Sequence, residues 1–445
     1  MTYEVGIDLG TTYTAAAVHR DGRSSIFPLG SRAAAIPSVV YLKEGGEVLT
    51  GEAAVRRAIT EPERVAREFK RRLGDTTPLI VGGTPYSADA LMARILRAVL
   101  DQVETREGSP PSKVAISHPA NWGQYKLDLL HQAVRLAEVP EEQVTFLTEP
   151  EAAALSYAAQ ERIEPGEVIA VYDLGGGTFD AAVLRRTDDG FEIIGKPEGI
   201  ERLGGIDFDA AVAAHVARSL DGALDQIDDD DPAAIAAMSR LRQDCVDAKE
   251  ALSSDTDATI PVLLPSLQTD VRITRSEFEA LIRPSLVDSI GAMHRAVKSA
   301  GVGWDEVSKV LLVGGSSRIP AFQEMLTTYF GKKPISSKNL DEDVARSAAL
   351  MGALRLGLAP EGSALSSLPE PKDVSAHAIG VVALNDQGLE ENVVLLDANA
   401  PIPTPEPWPE RRFGTAQDAQ TQIELIVNEG DDSNLHFVDR LATGR

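Results

Sequence analysis

The feature that most constrains the fold is a phrase that occurs twice in the sequence. Residues 6–15 read GIDLGTTYTA, and residues 171–181 read VYDLGGGTFDA. Each is an apolar strand that ends in aspartate, followed by a turn of glycine and threonine and then a second apolar strand. Two such hairpins predict two related lobes that face one ligand.

The turns and the aspartates indicate the chemistry of that ligand. Glycine lets the backbone approach a phosphate closely, and successive turn amides form an anion-binding nest. Asp8 and Asp173 stand at the ends of the two strands. Carboxylates in this position suit Mg²⁺, which takes oxygen ligands and keeps several of its waters. A phosphate chain and Mg²⁺ held between two lobes describe an ATP site.

The composition argues against several other classes of protein. The chain has 445 residues, of which 43% are apolar and 25% charged, as expected for a globular protein of two or three domains. The net charge of -25 argues against nucleic acid or a membrane surface as a partner. A single cysteine, Cys245, excludes an internal disulfide, and the N-terminus shows no signal peptide. We therefore expect a cytoplasmic protein.

Strands and helices alternate over roughly the first 360 residues, as in a parallel α/β sheet. The pattern predicts helices over residues 63–73 and 341–356. Thr274 and Glu277 form a capping-box pattern, which predicts the start of a long helix. Residues 359–372 are rich in proline and serine and are typical of a linker. Strands predominate after that point, so we predict domains at 1–358 and 373–445.

Seven motifs identify the family that the chain resembles. They are IDLGTT at 7–12, FKRRLG at 69–74, HPA at 118–120, TEPEAA at 148–153, DLGGGTFD at 173–180, LGGIDF at 203–208 and VGGSSRIP at 313–320. Through them the first domain resembles the ATPase domain of the heat shock protein 70 (DnaK-like) chaperones. The resemblance implies an α/β, actin-like ATPase domain of two ribonuclease H-like lobes, followed by a partial all-β sandwich.

The C-terminal region resembles the first half of the family's peptide-binding β-sandwich. The matching phrases lie at 373–374, 378–380, 401–404, 413–424 and 429–431. Half a sandwich would leave an unpaired edge strand, to which an extended peptide could add. An alternative is that residues 393–397, VVLLD, are themselves the interdomain linker. The flanking matches would then be out of order, so we rank this interpretation lower.

The resemblance also implies roles for individual residues. It places Gly10, Thr11, Thr12, Tyr13, Gly175, Gly176, Gly177 and Thr178 around the phosphates. It gives Asp8 and Asp173 the Mg²⁺ ion, bound through water. It implies catalytic roles for Lys70, Glu149, Asp173, Asp180 and Thr178. A lysine ammonium at the γ-phosphate would stabilise the developing charge and orient the attacking water, and the other side chains would support it.

The nucleoside side of the site matches the family only in part. The matching residues are Gly204, Gly205, Asp207, Lys249, Ser253, Gly314, Gly315, Ser316, Arg318 and Asp341. Val246 stands where the family has a ribose-binding glutamate, and Glu250 stands where arginine or an apolar residue is common. Ile206 replaces an acidic residue, and Leu340 replaces a proline. A missing ribose hydrogen bond costs about 1 kcal/mol, so we predict ATP binding that is weaker than typical.

Three functions are compatible with these residues. The leading hypothesis is an ATP-dependent chaperone that takes unfolded or extended peptide, with a J-domain co-chaperone and a nucleotide exchange factor as partners. The second is a nucleotide-gated binding or regulatory module. It is favoured by Val246 and by the sequence LSSLPEPK at 365–372, which lacks the apolar linker of the family. The third is a small-molecule kinase of the same superfamily, for which the sequence offers no substrate motif.

Overall fold

The structure is a computed structural model. It describes residues 2–336, apart from 22, 32, 159–160, 162, 188–189, 227–230 and 266. It also describes residues 373–374, 378–384, 390–396, 401–402, 425–429, 433 and 439–444. The predicted helix at 341–356, Asp341 and the linker at 359–372 lie outside these residues.

The described residues form a mixed α/β structure. The strands are β1 (Glu4–Leu9), β2 (Tyr13–Arg20), β3 (Arg23–Phe27), β4 (Ile36–Pro37), β5 (Val40–Leu42), β6 (Val48–Thr50), β7 (Val65–Ala66), β8 (Leu79–Val81), β9 (Thr84–Tyr86), β10 (Lys113–His118), β11 (Val144–Thr148), β12 (Val168–Leu174), β13 (Phe179–Thr187), β14 (Gly190–Ile200), β15 (Asp257–Leu264), β16 (Leu267–Thr274), β17 (Val307–Val313), β18 (Ile335–Ser336), β19 (Asp373–Val374), β20 (Ile379–Leu384), β21 (Glu390–Leu396), β22 (Pro401–Ile402), β23 (Leu425–Glu429) and β24 (Asp439–Gly444). The α-helices are α1 (Gly51–Arg57), α2 (Ala88–Glu107), α3 (Gln124–Leu136), α4 (Glu149–Ala158), α5 (Gly205–Ser219), α6 (Pro232–Ala251), α7 (Arg275–Ser299) and α8 (Pro320–Phe330).

The first repeated phrase forms the hairpin β1–β2 at the centre of a sheet with the order β11-β10-β1-β2-β3. β1 is parallel to β10 and antiparallel to β2, and Asp8 pairs with Ala15 across the hairpin. Val5 and Ile7 are fully buried in a core that includes Leu91 of α2. Because β1 is apolar and buried, Asp8 lies at the carboxyl end of the sheet, where ligands of α/β proteins bind.

The second phrase forms the hairpin β12–β13 in a sheet of the same order, β18-β17-β12-β13-β14. β12 is parallel to β17, and Asp173 pairs with Asp180 across the hairpin. The core of this sheet is mostly aliphatic but includes aromatic side chains, with Tyr172 and Phe208 among the fully buried ones. Tyr172 Oη and Ser289 Oγ on α7 are 2.6 Å apart, which satisfies both buried hydroxyls.

The segment that carries Lys70 differs from the prediction. The helix expected over residues 63–73 is wrong: short 3₁₀ turns at Pro62–Arg64 and Phe69–Arg72 flank the strand β7. β7 pairs with β5, and Glu68 has a left-handed φ of 57° that interrupts any helical path. Pairing with a neighbouring strand therefore overrides the local helix propensity. In contrast, the predicted capping box of Thr274 is confirmed, and it begins the long helix α7, which ends at Ser299.

The described C-terminal residues form an antiparallel sheet of the order β21-β20-β23-β24 and the strand pair β19–β22. Residues 393–396 lie within β21 and pair with β20, so this part of the alternative linker is a strand. The sheet buries Asn392 and Asn428, whose side chains are 3.3 Å apart. A complete sandwich arrangement stays a prediction. No helix in the described part of the chain is long and apolar enough to cross a membrane.

Candidate functional site

A cavity of about 490 Å³ lies where the turns of the two hairpins meet. Most of the predicted site residues line it. They are Asp8, Gly10, Thr11, Thr12, Tyr13, Lys70, Glu149, Asp173, Gly175, Gly176, Thr178, Gly205, Lys249, Ser253, Gly314, Gly315, Ser316 and Arg318. The cavity therefore brings together residues that are more than 300 positions apart in the sequence.

The two turns differ in composition because they pack against each other. A Cβ at Gly176 would overlap Thr12 Oγ1, and a Cβ at Gly177 would lie 2.9 Å from Thr11 Cβ. The threonines of the first turn thus require glycines in the second. Thr12 Oγ1 is buried and has no hydrogen-bond partner among the described residues. A buried hydroxyl of this kind is ready to bond a ligand oxygen, which fits a phosphate at this position.

Neighbouring segments hold the second turn in place. Ser316 Oγ donates a hydrogen bond to the carbonyl oxygen of Gly175 at 2.9 Å, and the amide of Ile206 donates to that of Gly176 at 2.7 Å. Gly314 has a φ of 78°, and a Cβ there would lie 2.6 Å from Asp173 Oδ1. This position needs glycine both for its left-handed backbone and for its close approach to the carboxylate.

A buried ion pair lies at the phosphate end of the cavity. Lys70 Nζ is 2.9 Å from Glu149 Oε1, and the two side chains are only 8% and 10% exposed. Lys70 Nζ also lies 5.5 Å from the ring centroid of Trp122. Burial alone would lower the pKa of Lys70, but the carboxylates of Glu149 and Asp8 outweigh it and raise this pKa above its usual value. The side chain is therefore a permanent cation at neutral pH.

Carboxylates outnumber this ammonium at the same end of the cavity. Burial, and then the charges of Glu149, Asp180 and Asp8, raise the pKa of Asp173 well above its usual value. Burial and Glu149 raise the pKa of Asp180 to about 7. Ser117 Oγ donates to Asp8 Oδ1 at 2.8 Å. Such an excess of buried negative charge fits a divalent cation, which would relieve it.

The arrangement of these carboxylates suits a hydrated ion. Within the part of the chain that the structure describes, no three histidine, cysteine, aspartate or glutamate side chains are grouped so that they could hold a metal directly. Asp8 and Asp173 reach the cavity from opposite hairpins. Mg²⁺ keeps several waters and is commonly bound through one or two carboxylates together with substrate phosphates. The residues present therefore fit Mg²⁺ bound through water.

The other end of the cavity is lined by α6 and the start of α5. Lys249 Nζ is 2.8 Å from Asp209 Oδ1 and 3.3 Å from the carbonyl oxygen of Gly205. Val246 and Glu250, which depart from the family pattern, line this end as well. Burial raises the pKa of both Asp209 and Glu250. Sequence reasoning missed Asp209, although it lies two residues after Asp207 on the same helix.

Of the predicted residues that the structure describes, four do not line the large cavity. Asp180 lines a second, smaller cavity behind Lys70. Gly177 belongs to the second turn itself, and Gly204 packs against that turn, since a Cβ at Gly204 would be 2.7 Å from the amide nitrogen of Gly177. Asp207 instead accepts hydrogen bonds from Arg71 Nη2, at 2.9 and 3.1 Å. Arg71 was not predicted, and its position next to Lys70 was the available signal.

Two glycine- and threonine-rich hairpins around a cavity of about 490 Å³, with a buried lysine and an acidic end, define a nucleotide-binding protein. Comparison with known families agrees with this class. The family model of the Hsp70 protein matches residues 4–79 and 76–443, which is nearly the whole chain. The chain therefore belongs to the Hsp70 family, as its motifs indicated. It is a chaperone-type ATP-binding protein.

Proposed function

We propose that the chain binds Mg-ATP between two lobes built on its two sheets, hydrolyses it slowly to ADP and phosphate, and couples this cycle to the binding of extended peptide. The buried Lys70–Glu149 ion pair carries the proposal, because it fixes a cation at the phosphate end of the cavity. The C-terminal sheet would hold the peptide. A J-domain co-chaperone and a nucleotide exchange factor are the proposed protein partners.

The residues of the cavity divide this work between them. The glycine-rich turns would bind the phosphates through their amides. Lys70, held by Glu149, would stabilise the charge that develops on the γ-phosphate and orient the attacking water. Mg²⁺, held through water by Asp8 and Asp173, would neutralise the phosphate charge. Asp180 Oδ1 is buried and lacks a hydrogen-bond partner within the described residues, so it can accept a hydrogen bond from the attacking water.

A single-turnover measurement of ATP cleavage in Mg²⁺ tests the proposal. We expect Lys70→Ala to lower the cleavage rate about 100- to 1,000-fold, the usual cost of removing one group that stabilises a transition-state charge. Lys43→Ala is the matched control, because Lys43 pairs with Glu47 and both side chains are more than half exposed. Cleavage that persists unchanged in Lys70→Ala would contradict the catalytic role.

The nucleoside end of the cavity supports a second candidate, a nucleotide-gated binding module. Val246 and Ile206 are apolar there, where a sugar hydroxyl would need a polar partner. The same measurement, repeated with and without an extended apolar peptide, separates the candidates. Cleavage that rises with peptide favours the chaperone cycle. Tight nucleotide binding with no cleavage that depends on Lys70 favours the binding module.

A further inference from the structure

A second cavity lies behind the catalytic residues, on the side of Lys70 away from the nucleoside end. Lys70 and Thr178 line both cavities. The rear cavity has a volume of about 20 Å³, which is room for a single water molecule. The rear cavity is also lined by Asn121, Trp122, Lys126 and Glu201. The rear cavity therefore shares part of its wall with the phosphate end of the large cavity.

Two ion pairs involve residues of the rear-cavity wall, namely Lys126, Glu201 and Arg71. Both pairs join the part of the chain that carries the first sheet to the part that carries the second. Lys126 of α3 contacts Glu201, in the loop between β14 and α5. Arg71 contacts Asp207 of α5 at 2.9 Å, and its Nε donates to the carbonyl oxygen of Glu201 at 3.3 Å. The loop at Glu201 is thus held by two cations from across the cleft. We name these two ion pairs the rear gate.

We propose that inorganic phosphate leaves through the rear cavity, and that the rear gate must open to release it. The inference rests on the proposed hydrolysis of ATP. While ADP fills the large cavity, its own phosphates occupy the two turns. A phosphate formed next to Lys70 and Thr178 is then enclosed on that side, and the rear cavity is its direct route to solvent.

The chemistry of the rear gate suits a phosphate anion. The wall of the rear cavity carries three cations, Lys70, Arg71 and Lys126, and two carboxylates, Asp180 and Glu201. Each ion pair of the gate joins a cation to a carboxylate, and phosphate binds guanidinium and ammonium groups as carboxylates do. The product can therefore replace Glu201 and Asp207 as the partner of these cations, which loosens the gate as it passes. The Lys126–Glu201 pair is the weaker one, since Glu201 is 59% exposed.

The test measures cleavage and release separately in one turnover. Acid quenching gives the rate of ATP cleavage, and a fluorescent phosphate-binding protein gives the appearance of free phosphate. If the rear gate is closed, we expect the release of phosphate to lag behind the cleavage of ATP in the unmodified chain. Glu201→Gln keeps the size of the side chain but breaks the ion pair. We expect it to accelerate release about two- to fivefold, the effect of one exposed ion pair, and to leave cleavage unchanged.

Charge reversal and a remote pair supply the controls. Lys126→Glu combined with Glu201→Lys restores the pair in reverse and should make release slower than in Glu201→Gln, with a lag close to that of the unmodified chain. Glu47→Gln breaks an exposed pair with Lys43, outside both cavities, and should leave the lag unchanged. Cleavage without a lag, or a lag that Glu201→Gln does not shorten, would overturn the rear gate alone. Absence of cleavage would overturn the proposed hydrolysis as well.

Discussion

The two hairpins share one topology but carry different side chains at equivalent positions. In the first, Asp8 pairs across the hairpin with Ala15; in the second, Asp173 pairs with Asp180. The first turn carries threonines, whereas the second carries glycines that make room for them. The second hairpin thus holds two of the acidic groups of the site, and the first supplies one carboxylate and the hydroxyls. The same topology therefore supplies different side chains to the cavity from each of the two hairpins.

The largest effect is expected when the acidic pair of the second hairpin is copied into the first. Ala15 is 2% exposed and packs with Ala17, partly buried Ile26 and Ala35. Ala15→Asp would bury a carboxylate among these apolar groups, without the lysine that lies near Asp180. We expect the free energy of unfolding, measured with urea, to fall by about 3–5 kcal/mol.

A neutral substitution separates charge from size at this position. Ala15→Asn adds a side chain of the same shape without the charge, and we expect it to cost clearly less than Ala15→Asp. Equal losses in the two variants would show that space, and not charge, keeps the first hairpin free of a second carboxylate.

The next largest effect concerns the packing of the two turns. Gly176→Ala places a Cβ on Thr12 Oγ1, so one turn must move away from the other. A displacement of about 1 Å in a catalytic site can cost on the order of 100-fold in kcat/KM. Gly291→Ala, inside α7, is the matched control, because a Cβ there meets only Arg295 Nη1 at 3.6 Å. Full ATPase activity in Gly176→Ala would mean that the interlocked turns are not required.

The comparison of the hairpins also explains what could be predicted from the sequence. Both strands that carry the aspartates are apolar and end at the turn, so local pattern predicted the hairpins and the acidic end, whereas the resemblance to the family supplied the other cavity residues. The position of Lys70 in a 3₁₀ turn was not predicted, because the strand pairing of β7 with β5 is a long-range contact. Asp209 and Arg71 were missed for the same reason: their partners are distant in sequence.

A further difference lies at the opposite end of the hairpins. In the first, Glu4 pairs across the strands with His19; at the equivalent register of the second stand Ile169 and Leu184. Both members of the polar pair are at most 2% exposed. His19 Nε2 has no hydrogen-bond partner in the part of the chain that is described. The first sheet thus buries polar groups where the second buries apolar ones of similar size.

Replacing the polar pair by its apolar counterpart should stabilise the chain. We expect Glu4→Ile with His19→Leu to raise the free energy of unfolding by about 1 kcal/mol or more, as often found when buried charged groups are replaced by apolar ones. The neighbouring Ser112 Oγ keeps its hydrogen bond to the carbonyl oxygen of Tyr3. The reverse exchange, Ile169→Glu with Leu184→His, serves as the control and should destabilise. A loss of stability in the first exchange would show that the polar pair is a stabilising feature.

The smallest effect is the pH dependence of these two substitutions taken singly, and their signs are opposite. Burial lowers the pKa of His19 below its ordinary 6.5, so the folded chain binds that proton less well than the unfolded chain does, and stability falls as the pH drops below 6.5. Burial raises the pKa of Glu4 above 4.5, so stability falls as the pH rises from 4.5. Urea unfolding from pH 4 to 8 should therefore show a gain from His19→Leu that grows towards acid, and a gain from Glu4→Ile that grows towards neutral pH. If the free energies of unfolding of the two variants change with pH in parallel, this account is contradicted. Two groups whose pKa values shift in opposite directions on folding should make the two curves diverge.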